Sequence, residues 1–489
     1  MTSIQQMNIA RCFARVALEN PDHKAIIAAD ITLSYAKLWR IIRGFATRMQ
    51  EIGIGQGSVV AVHSKDMIAC IASMMATSLL GAGYVPFEGH LVVGAAVRPT
   101  HFLRSPDVSP YPTVNYHLMN TNWPQAAAPD PASDGSEFAG YERAEDPWLF
   151  VPTSGTTGEA KYLGLSQRDV YYRSLAVRED FQPFHTRFCS LFPCDTRPFF
   201  ARANAALLGA CTIIDAIDIA FMQAHGVNLV CGAPRMAMEW LAGRRISPKI
   251  PALQVSGAKL SDADATFLLE SFDTVEDVYG ASETSKSFVN VKALDGGRLT
   301  TRGKPLDSEV QIVGDDGAPI TAPGLQGAVR IRNDYMASAY IAAPVSSQRA
   351  FRNGWFHPGD VASWGPAGEL VVAGRLDAVV NLGGVKINLG DVDEVLCSVD
   401  GISAAAAFRD PSQPNPPRLM AMVTVSSTAE ADKSVAAAHS ACLDRFGFIF
   451  APRIILVVPS IPMTIDGAPR RVECERLAQA FMTRNVTTR

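Results

Sequence analysis

Apolar residues recur at helical spacing at Leu38, Ile41, Ile42, Phe45, Met49 and Ile52, and the chain then turns through Gly53, Gly55 and Gly57 into the apolar run Val59-Val60-Ala61-Val62. The pattern predicts a helix delivered into a buried strand. The same pairing returns twice. A helix near Asp66 to Leu80 leads into Tyr84-Val85-Pro86, and the run Val227 to Cys231 is followed by a helix over Pro234 to Leu241. Helices alternating with buried strands predict parallel sheets with helices packed on their faces. After Gly303 the period shortens. Glu309 to Ile312, Gly327 to Ile331 and Glu369 to Ala373 read as short alternating strands, with turns such as Asp315-Asp316-Gly317, and predict a small β-rich subdomain. Beyond Arg375 the pattern predicts a hairpin, a helix over Asp391 to Val399, and strands over Ala404 to Phe408, Leu419 to Val425 and Ile454 to Val458. The expected fold is therefore α/β, with a large N-terminal domain (residues 1–375) of helix-covered, mainly parallel sheets plus the β-rich subdomain. A small mobile α+β C-terminal domain (residues 376–489) follows.

Two stretches need separate treatment. Pro110 to Asp146 is rich in Pro, Ala, Ser and Asp and is expected to be an irregular surface connection. Met67 to Phe87 carries no charge and is long enough to span a bilayer. Ser73, Thr77, Ser78, Gly81, Gly83 and Pro86 interrupt it, which favours a buried helix followed by a short strand.

At 489 residues the chain is too long for a single core. Its Lys+Arg count of 44 against Asp+Glu of 48, a net charge of -4, offers no general attraction to nucleic acid or anionic membrane, so a small-molecule ligand is expected. The nine cysteines (Cys12, Cys70, Cys189, Cys194, Cys211, Cys231, Cys397, Cys442 and Cys474) show no CxxC pair and no metal-ligand spacing, and read as reduced, mostly buried residues of a cytoplasmic protein. Met1 to Gln6 lacks the basic-then-apolar order of a signal peptide.

The chemistry begins at Thr153-Ser154-Gly155-Thr156-Thr157-Gly158-Glu159-Ala160-Lys161, directly after the apolar run Trp148-Leu149-Phe150-Val151. Glycines permit close backbone approach, hydroxyls donate to phosphate oxygens, and a lysine supplies charge. The spacing is not that of a Walker loop, and taken alone the segment reads equally as an ordinary Ser/Thr/Gly turn. It resembles the signature loop of the adenylate-forming superfamily, which includes acyl-CoA synthetases, peptide-synthetase adenylation domains and luciferases. The resemblance continues in order along the chain. Leu33-Ser34-Tyr35 and Gly81 to Pro86 are similar to early structural motifs, and Tyr279-Gly280-Ala281-Ser282-Glu283-Thr284 resembles the Tyr-Gly-x-Thr-Glu motif. Trp355-Phe356-His357-Pro358-Gly359-Asp360 resembles the aspartate motif, and Gly374-Arg375-Leu376-Asp377 the hinge.

The resemblance implies carboxylate plus ATP giving an acyl-adenylate, then acyl transfer to a thiol, with Mg²⁺ and coenzyme A as further ligands. Thr153, Ser154, Gly155, Thr156, Thr157, Gly158 and Lys161 would cradle phosphates, with Thr156, Lys161 and Glu283 as the catalytic set. Glu283 and Thr156 would hold Mg²⁺, and Ser282 would donate to the α-phosphate. Gly257 and Ala258 would lie against adenine, with Tyr279 and Gly280 lining the nucleotide. Asp360 would accept from the ribose hydroxyls and Arg375 would bind the same sugar or its phosphate. Asp377 would be the hinge, and Gly383, Gly384 and Lys386 would line the tunnel for the thiol arm, although a plain hairpin turn fits those residues equally. The acyl pocket would draw on Phe192 to Ala206, Val230 to Pro234 and the run up to Ser285. Asp195 is only loosely similar to the amino-group aspartate of amino-acid-activating relatives, so a plain carboxylic acid is expected.

One position departs. Pro462-Met463-Thr464-Ile465-Asp466-Gly467-Ala468-Pro469-Arg470-Arg471 resembles the closing motif, but Ala468 stands where the family has a lysine that serves adenylation and not thiol transfer. Asn381 and Ala328 are further departures from charged positions. The implied function is an acyl-CoA ligase-like enzyme weak or inactive in adenylation and competent in thioesterification, acting on a carboxylic acid or its acyl-adenylate and fed by a separate adenylating partner. The alternatives are a complete ATP-dependent acyl-CoA ligase, an adenylation enzyme loading a carrier protein, and a noncatalytic nucleotide binder.

Overall fold

The computed structural model describes residues 8–86, 96–110, 114–119, 123, 132–141, 143, 145–153, 161–382, 385–414, 417–463 and 469–486. The chain divides into two compact units. One comprises Met1–Thr153, Ala160–Val310 and Ile331–Phe356; the other comprises Ser154–Glu159, Gln311–Arg330 and His357–Arg489.

Two sheets organise the first unit. In the larger, the strands Phe272–Ala281, Ile250–Ser256, Leu229–Gly232, Arg187–Ser190, Thr212–Asp215 and Lys24–Ala28 lie side by side and parallel. Antiparallel strands flank this block: Ser285–Asp295 and Arg298–Pro305 on one side, Thr32–Ser34 on the other. The smaller sheet sets His101–Arg104, Val59–His63, Gly83–Pro86 and Pro147–Thr153 in parallel, and Lys161–Ser166 closes it antiparallel to Pro147–Thr153. The mixed α/β layering expected from the helix and strand periods is the observed one.

The uncharged stretch resolves into the helix Met67–Leu80 and the strand Gly83–Pro86. Its polar residues are buried and bonded. The Ser73 hydroxyl donates to the Ala69 carbonyl at 2.6 Å, Thr77 to Met74 at 2.7 Å, and the Trp148 indole donates to Thr77 Oγ1 at 3.1 Å. Asp66 caps the start by accepting from the Ala69 amide, and Gly81 ends the helix at φ 69°, where a Cβ would lie 2.3 Å from the Gly140 carbonyl oxygen. No helix among the described residues is long and apolar enough to cross a membrane. On the helix Tyr35–Glu51, Leu38, Ile42, Phe45 and Met49 enter the core and Ile41 packs at its margin.

The described residues of the connection over Pro110 to Asp146 are irregular apart from the short strand His117–Leu118, and most are exposed or half-buried, but it has buried anchors. Met119, Trp123 and Phe138 are buried in the main core, and Glu137 pairs with the buried Arg43 at 2.7 Å. Scattered anchors of this kind have no period, so composition does not mark them. All nine cysteines are unbridged; Cys397 is exposed, Cys194 intermediate, and the rest buried.

In the second unit Gly327–Arg332, Asp360–Trp364 and Leu370–Arg375 pair antiparallel, and Gly314 to Ala318 forms the expected turn with Gly317 at φ 78°. The hairpin Val379–Leu382 and Val385–Asn388 precedes the helix Leu389–Cys397. The strands Ile402–Pro414, Pro417–Val425 and Ile454–Val457 then form a sheet whose alternating residues split between two layers. Ala405, Ala407, Leu419, Ala421 and Val423 face Val392, Leu396, Ala438 and Cys442, while Ala406, Phe408, Met420 and Met422 face Cys474 and Ala478 of the helix Arg471–Val486.

Candidate functional site

The phosphate-loop residues Ser154, Gly155, Thr156, Thr157 and Gly158 lie outside the described residues, but the two ends of that loop are defined. Thr153 and Lys161 are register partners across the antiparallel pair Pro147–Thr153 and Lys161–Ser166. Lys161 Nζ lies 5.3 Å from the centroid of the Tyr340 ring, and the Tyr340 hydroxyl donates to Glu283 Oε1 at 2.6 Å. One tyrosine thus brings together the lysine that ends the first motif and the carboxylate of the second. Ile341 donates its amide to the Tyr162 carbonyl at 2.8 Å, which seats Tyr340 beside the strand that Lys161 begins.

Glu283 sits in the tight turn between Phe272–Ala281 and Ser285–Asp295, where Ala281 pairs with Ser285. Close approach shapes this turn. A Cβ on Gly280 would lie 2.2 Å from the Ser285 carbonyl oxygen, and Ser285 itself adopts φ 63°. Arg173, on the helix Gln167–Ala176, holds the turn from behind. Its guanidinium donates to the carbonyls of Tyr335 at 3.0 Å, Ser282 at 2.9 Å and Glu283 at 2.8 Å. Burial pushes Arg173 down to about 10, against the pull of Asp169 and Glu283, so it stays charged at neutral pH. The Ala337 amide also donates to the Glu283 carbonyl at 2.8 Å, and Asn333 Nδ2 donates to the Thr284 carbonyl at 3.0 Å. With its backbone bonds made behind it, Glu283 is a held carboxylate.

Ser256 pairs with Val278, so Gly257 and Ala258 leave their strand next to Tyr279 and Gly280 on the adjacent one. Gly257 has φ 91°, and both Gly257 and Ala258 are exposed, leaving open backbone at the carboxyl ends of parallel strands. Open α/β sheets bind ligands at that edge.

In the second unit Asp360 and Arg375 are register partners. Arg375 Nη1 donates to the Pro358 carbonyl at 2.7 Å and approaches Asp360 Oδ1 at 3.4 Å. Gly359, at φ 84°, lies against the guanidinium. The strand end is tied further by Asn388, whose Nδ2 donates to the Ala373 carbonyl at 2.7 Å; a Cβ on Gly374 would lie 2.0 Å from that nitrogen. Asn381 is the register partner of Lys386 between the strands Val379–Leu382 and Val385–Asn388; Gly383 and Gly384 lie outside the described residues.

Ala468 also falls outside the described residues, while its flanks are defined by a bridge between Met463 and Pro469. Arg471 is committed elsewhere. It pairs with Asp393 at 2.6 Å and donates to the Ala407 carbonyl, linking the helix Arg471–Val486 to the helix Leu389–Cys397 and the sheet edge. Burial lifts the Asp393 carboxyl to about 6, with Arg471 pulling it back down. Arg470 lies 3.7 Å from Glu473.

The sequence motifs do not contain Arg173 or Tyr340. Both act from elements with no signature of their own, and nothing in their spacing marks them. Among the described residues no group of three metal-ligating side chains forms. Mg²⁺ bound with phosphates needs only one or two carboxylates, which the single held Glu283 fits.

The chain matches the AMP-binding enzyme family over residues 13–98 and 100–341. It is 27% identical over 489 residues to a salicyl-AMP ligase / salicyl-S-ArCP synthetase of Mycobacterium tuberculosis, covering 89% of this chain and 83% of that protein. It is 24% identical over 524 residues to a 2-hydroxy-7-methoxy-5-methyl-1-naphthoate--CoA ligase of Streptomyces carzinostaticus, covering 95% of this chain and 93% of the other. Other curated relatives are longer: the match takes in 69%, 32% and 46% of the length of three of them. The fold is that of O-succinylbenzoate coenzyme A synthetase from Bacillus subtilis in complex with AMP, with a TM-score of 0.81 at 18% identity over 95% of this chain and 97% of that one. With the family matched across most of the first unit and the fold shared along nearly the whole length, the chain belongs to the AMP-binding enzymes.

Proposed function

We propose that this protein forms an acyl thioester from an acyl-adenylate and coenzyme A, and that it is poor at making the adenylate itself. The observation that carries the reading is the commitment of Arg471 to Asp393 and the Ala407 carbonyl, which leaves it unable to stand in for the lysine that Ala468 replaces. Arg470, set against Glu473 and on the far side of Pro469, is no better placed. Adenylation brings two anions together and depends on positive charge at the reacting carboxylate; losing one positioned donor costs about 10² to 10³ in rate. Thiol transfer is different. The thiol adds to the acyl carbonyl, AMP leaves with the electron pair of the broken anhydride bond, and the thiol proton passes to solvent, with no call on the missing lysine.

Within this reading Lys161, Thr153 and the loop residues Ser154, Gly155, Thr156, Thr157 and Gly158 contact phosphate, and Ser282 donates to it. Glu283 and Thr156 hold Mg²⁺, which neutralises phosphate charge when bound. Gly257, Ala258, Tyr279 and Gly280 take the base, Asp360 and Arg375 the ribose. Gly383, Gly384 and Lys386 line the thiol path, and residues 376–489 act as the domain that moves between steps.

Two assays test it. Pyrophosphate exchange with ATP and a panel of carboxylic acids should be at or near background, and robust exchange would sink the claim. Supplied acyl-adenylate with coenzyme A should give thioester; failure there favours a noncatalytic nucleotide binder. A carrier protein as acceptor is a second reading, favoured by likeness to the salicyl-S-ArCP synthetase. Parallel assays with coenzyme A and a phosphopantetheinylated carrier separate the two.

A further inference from the structure

The backbone around Tyr340 is pinned on both sides. Its amide donates to Ser347 Oγ at 2.9 Å, on the short helix Pro344–Ala350, and the next residue, Ile341, donates to the Tyr162 carbonyl at 2.8 Å. The ring packs against Phe351 with centroids 5.4 Å apart, and Phe351 packs against the buried Phe356 at 5.3 Å. These contacts set the direction of the tyrosine ring. It is nevertheless only half-buried, so one side of it faces the site rather than the core.

Ring and hydroxyl go to different partners. Lys161 Nζ lies 5.3 Å from the ring centroid, and the hydroxyl donates to Glu283 Oε1 at 2.6 Å, the length of a charge-assisted bond. The turn does not need this bond for its backbone, because Arg173 and the Ala337 amide each donate to the Glu283 carbonyl at 2.8 Å. The tyrosine acts on the carboxylate alone. Among the described residues no donor meets the second oxygen, Oε2, so a buried carboxylate is fixed at one oxygen and keeps the other for a ligand.

We propose that Tyr340 is a positioning residue with two separable duties: its hydroxyl orients the Glu283 carboxylate for Mg²⁺, and its ring orients the Lys161 ammonium for nucleotide phosphate. The proposal rests on the reading above, in which Glu283 holds Mg²⁺ and Lys161 meets phosphate, and adds how one side chain keeps the two in register. The duties use different atoms, so each can be removed by itself. Losing the hydroxyl removes a charge-assisted bond and lets the carboxylate turn, which should weaken the metal-dependent part of nucleotide binding by about tenfold. Losing the ring removes the cation–π contact, which should weaken binding by about two- to fivefold with or without metal.

The test is calorimetric titration with ATP, with no acid present, once in Mg²⁺ and once in a chelator. The ratio of the two affinities is the enhancement by metal, and by linkage it equals the enhancement of metal binding by ATP. Tyr340→Phe keeps the ring; it should bind ATP in chelator within about twofold of wild type while the enhancement falls by about tenfold, or vanishes where it is smaller. Tyr340→Leu should lose the enhancement equally and also bind about two- to fivefold more weakly in chelator. Melting temperature checks that each variant folds. Glu283→Gln tests the underlying reading separately, and should abolish the enhancement. If Glu283→Gln abolishes it and Tyr340→Phe retains it, the proposal is overturned while the metal reading stands. If Tyr340→Phe weakens ATP equally in both media, the hydroxyl only supports structure and the proposal is again overturned. Unchanged binding of Tyr340→Leu in chelator overturns the duty assigned to the ring. If wild type shows no enhancement, or Glu283→Gln keeps it, the metal reading itself has failed and this proposal with it.

Discussion

Replacing Arg173 with lysine tests whether one buried guanidinium holds the turn that carries Glu283. The residue is 7% exposed and donates to the carbonyls of Tyr335, Ser282 and Glu283 at 3.0, 2.9 and 2.8 Å. A lysine ammonium keeps the charge but is a point donor at shorter reach, and from the same helix it meets one of those carbonyls, two at most. Hydrogen bonds to a charged group contribute about 1.5–3 kcal/mol each, and a stranded buried carbonyl costs about 1–3 kcal/mol. Because the three bonds share one cation and one turn, the losses overlap rather than add. Arg173→Lys should therefore destabilise the first unit by about 2–4 kcal/mol. Urea unfolding followed by tryptophan fluorescence reads this directly, since Trp39 and Trp148 are buried in the same unit. Calorimetric titration with Mg-ATP supplies the functional readout: as the turn loosens, affinity should fall by about tenfold. An unchanged urea midpoint together with unchanged nucleotide affinity would refute the claim that Arg173 positions Glu283.

Three further outcomes are expected. Ala468→Lys should raise pyrophosphate exchange by about 10² to 10³, and no gain would refute the proposal that this position limits adenylation. Gly280→Ala puts a methyl 2.2 Å from the Ser285 carbonyl oxygen, which is backbone and cannot swing away; a loss of about 3 kcal/mol or more should appear in thermal or urea unfolding, and a wild-type melting curve would show that the turn relaxes freely. Burial raises Cys231 to about 11 and Cys189 to about 12, above an unfolded value near 9.0. Their contribution to stability is therefore complete below pH 9 and is lost as pH rises through the folded values, about 1.4 kcal/mol per pH unit for each thiol. Cys231→Ala should make the alkaline slope shallower, and a slope unaffected by the substitution would assign it to other groups.

Much of the fold was legible because each element carries its own period. The helix Tyr35–Glu51, the buried helix Met67–Leu80, the short strands after Gly303 and the C-terminal sheet all follow from which positions are apolar. The buried anchors of the Pro110 to Asp146 connection were not legible, because Trp123 and Phe138 are single residues and a lone aromatic has no period. The motif positions were legible as candidates, since Gly280, Glu283, Asp360 and Arg375 are unusual residue types in a recognisable order. Their supports were not. Arg173 and Tyr340 lie 110 and 57 positions from Glu283 and touch it only because the folded sheet and its packed helix bring them there.

The sequence by itself determined the periodic elements and the family, because these depend only on which residue stands at which position. Tertiary structure decided which charges are already spent. Arg471 and Arg173 are both arginines, and nothing local separates them. Packing gives Arg471 a carboxylate at 2.6 Å and gives Arg173 three backbone carbonyls at 3.0, 2.9 and 2.8 Å. The reason is physical: a hydrogen bond is satisfied by whatever the fold places within about 3 Å, and for long-range pairs that distance is not written in the order of the chain.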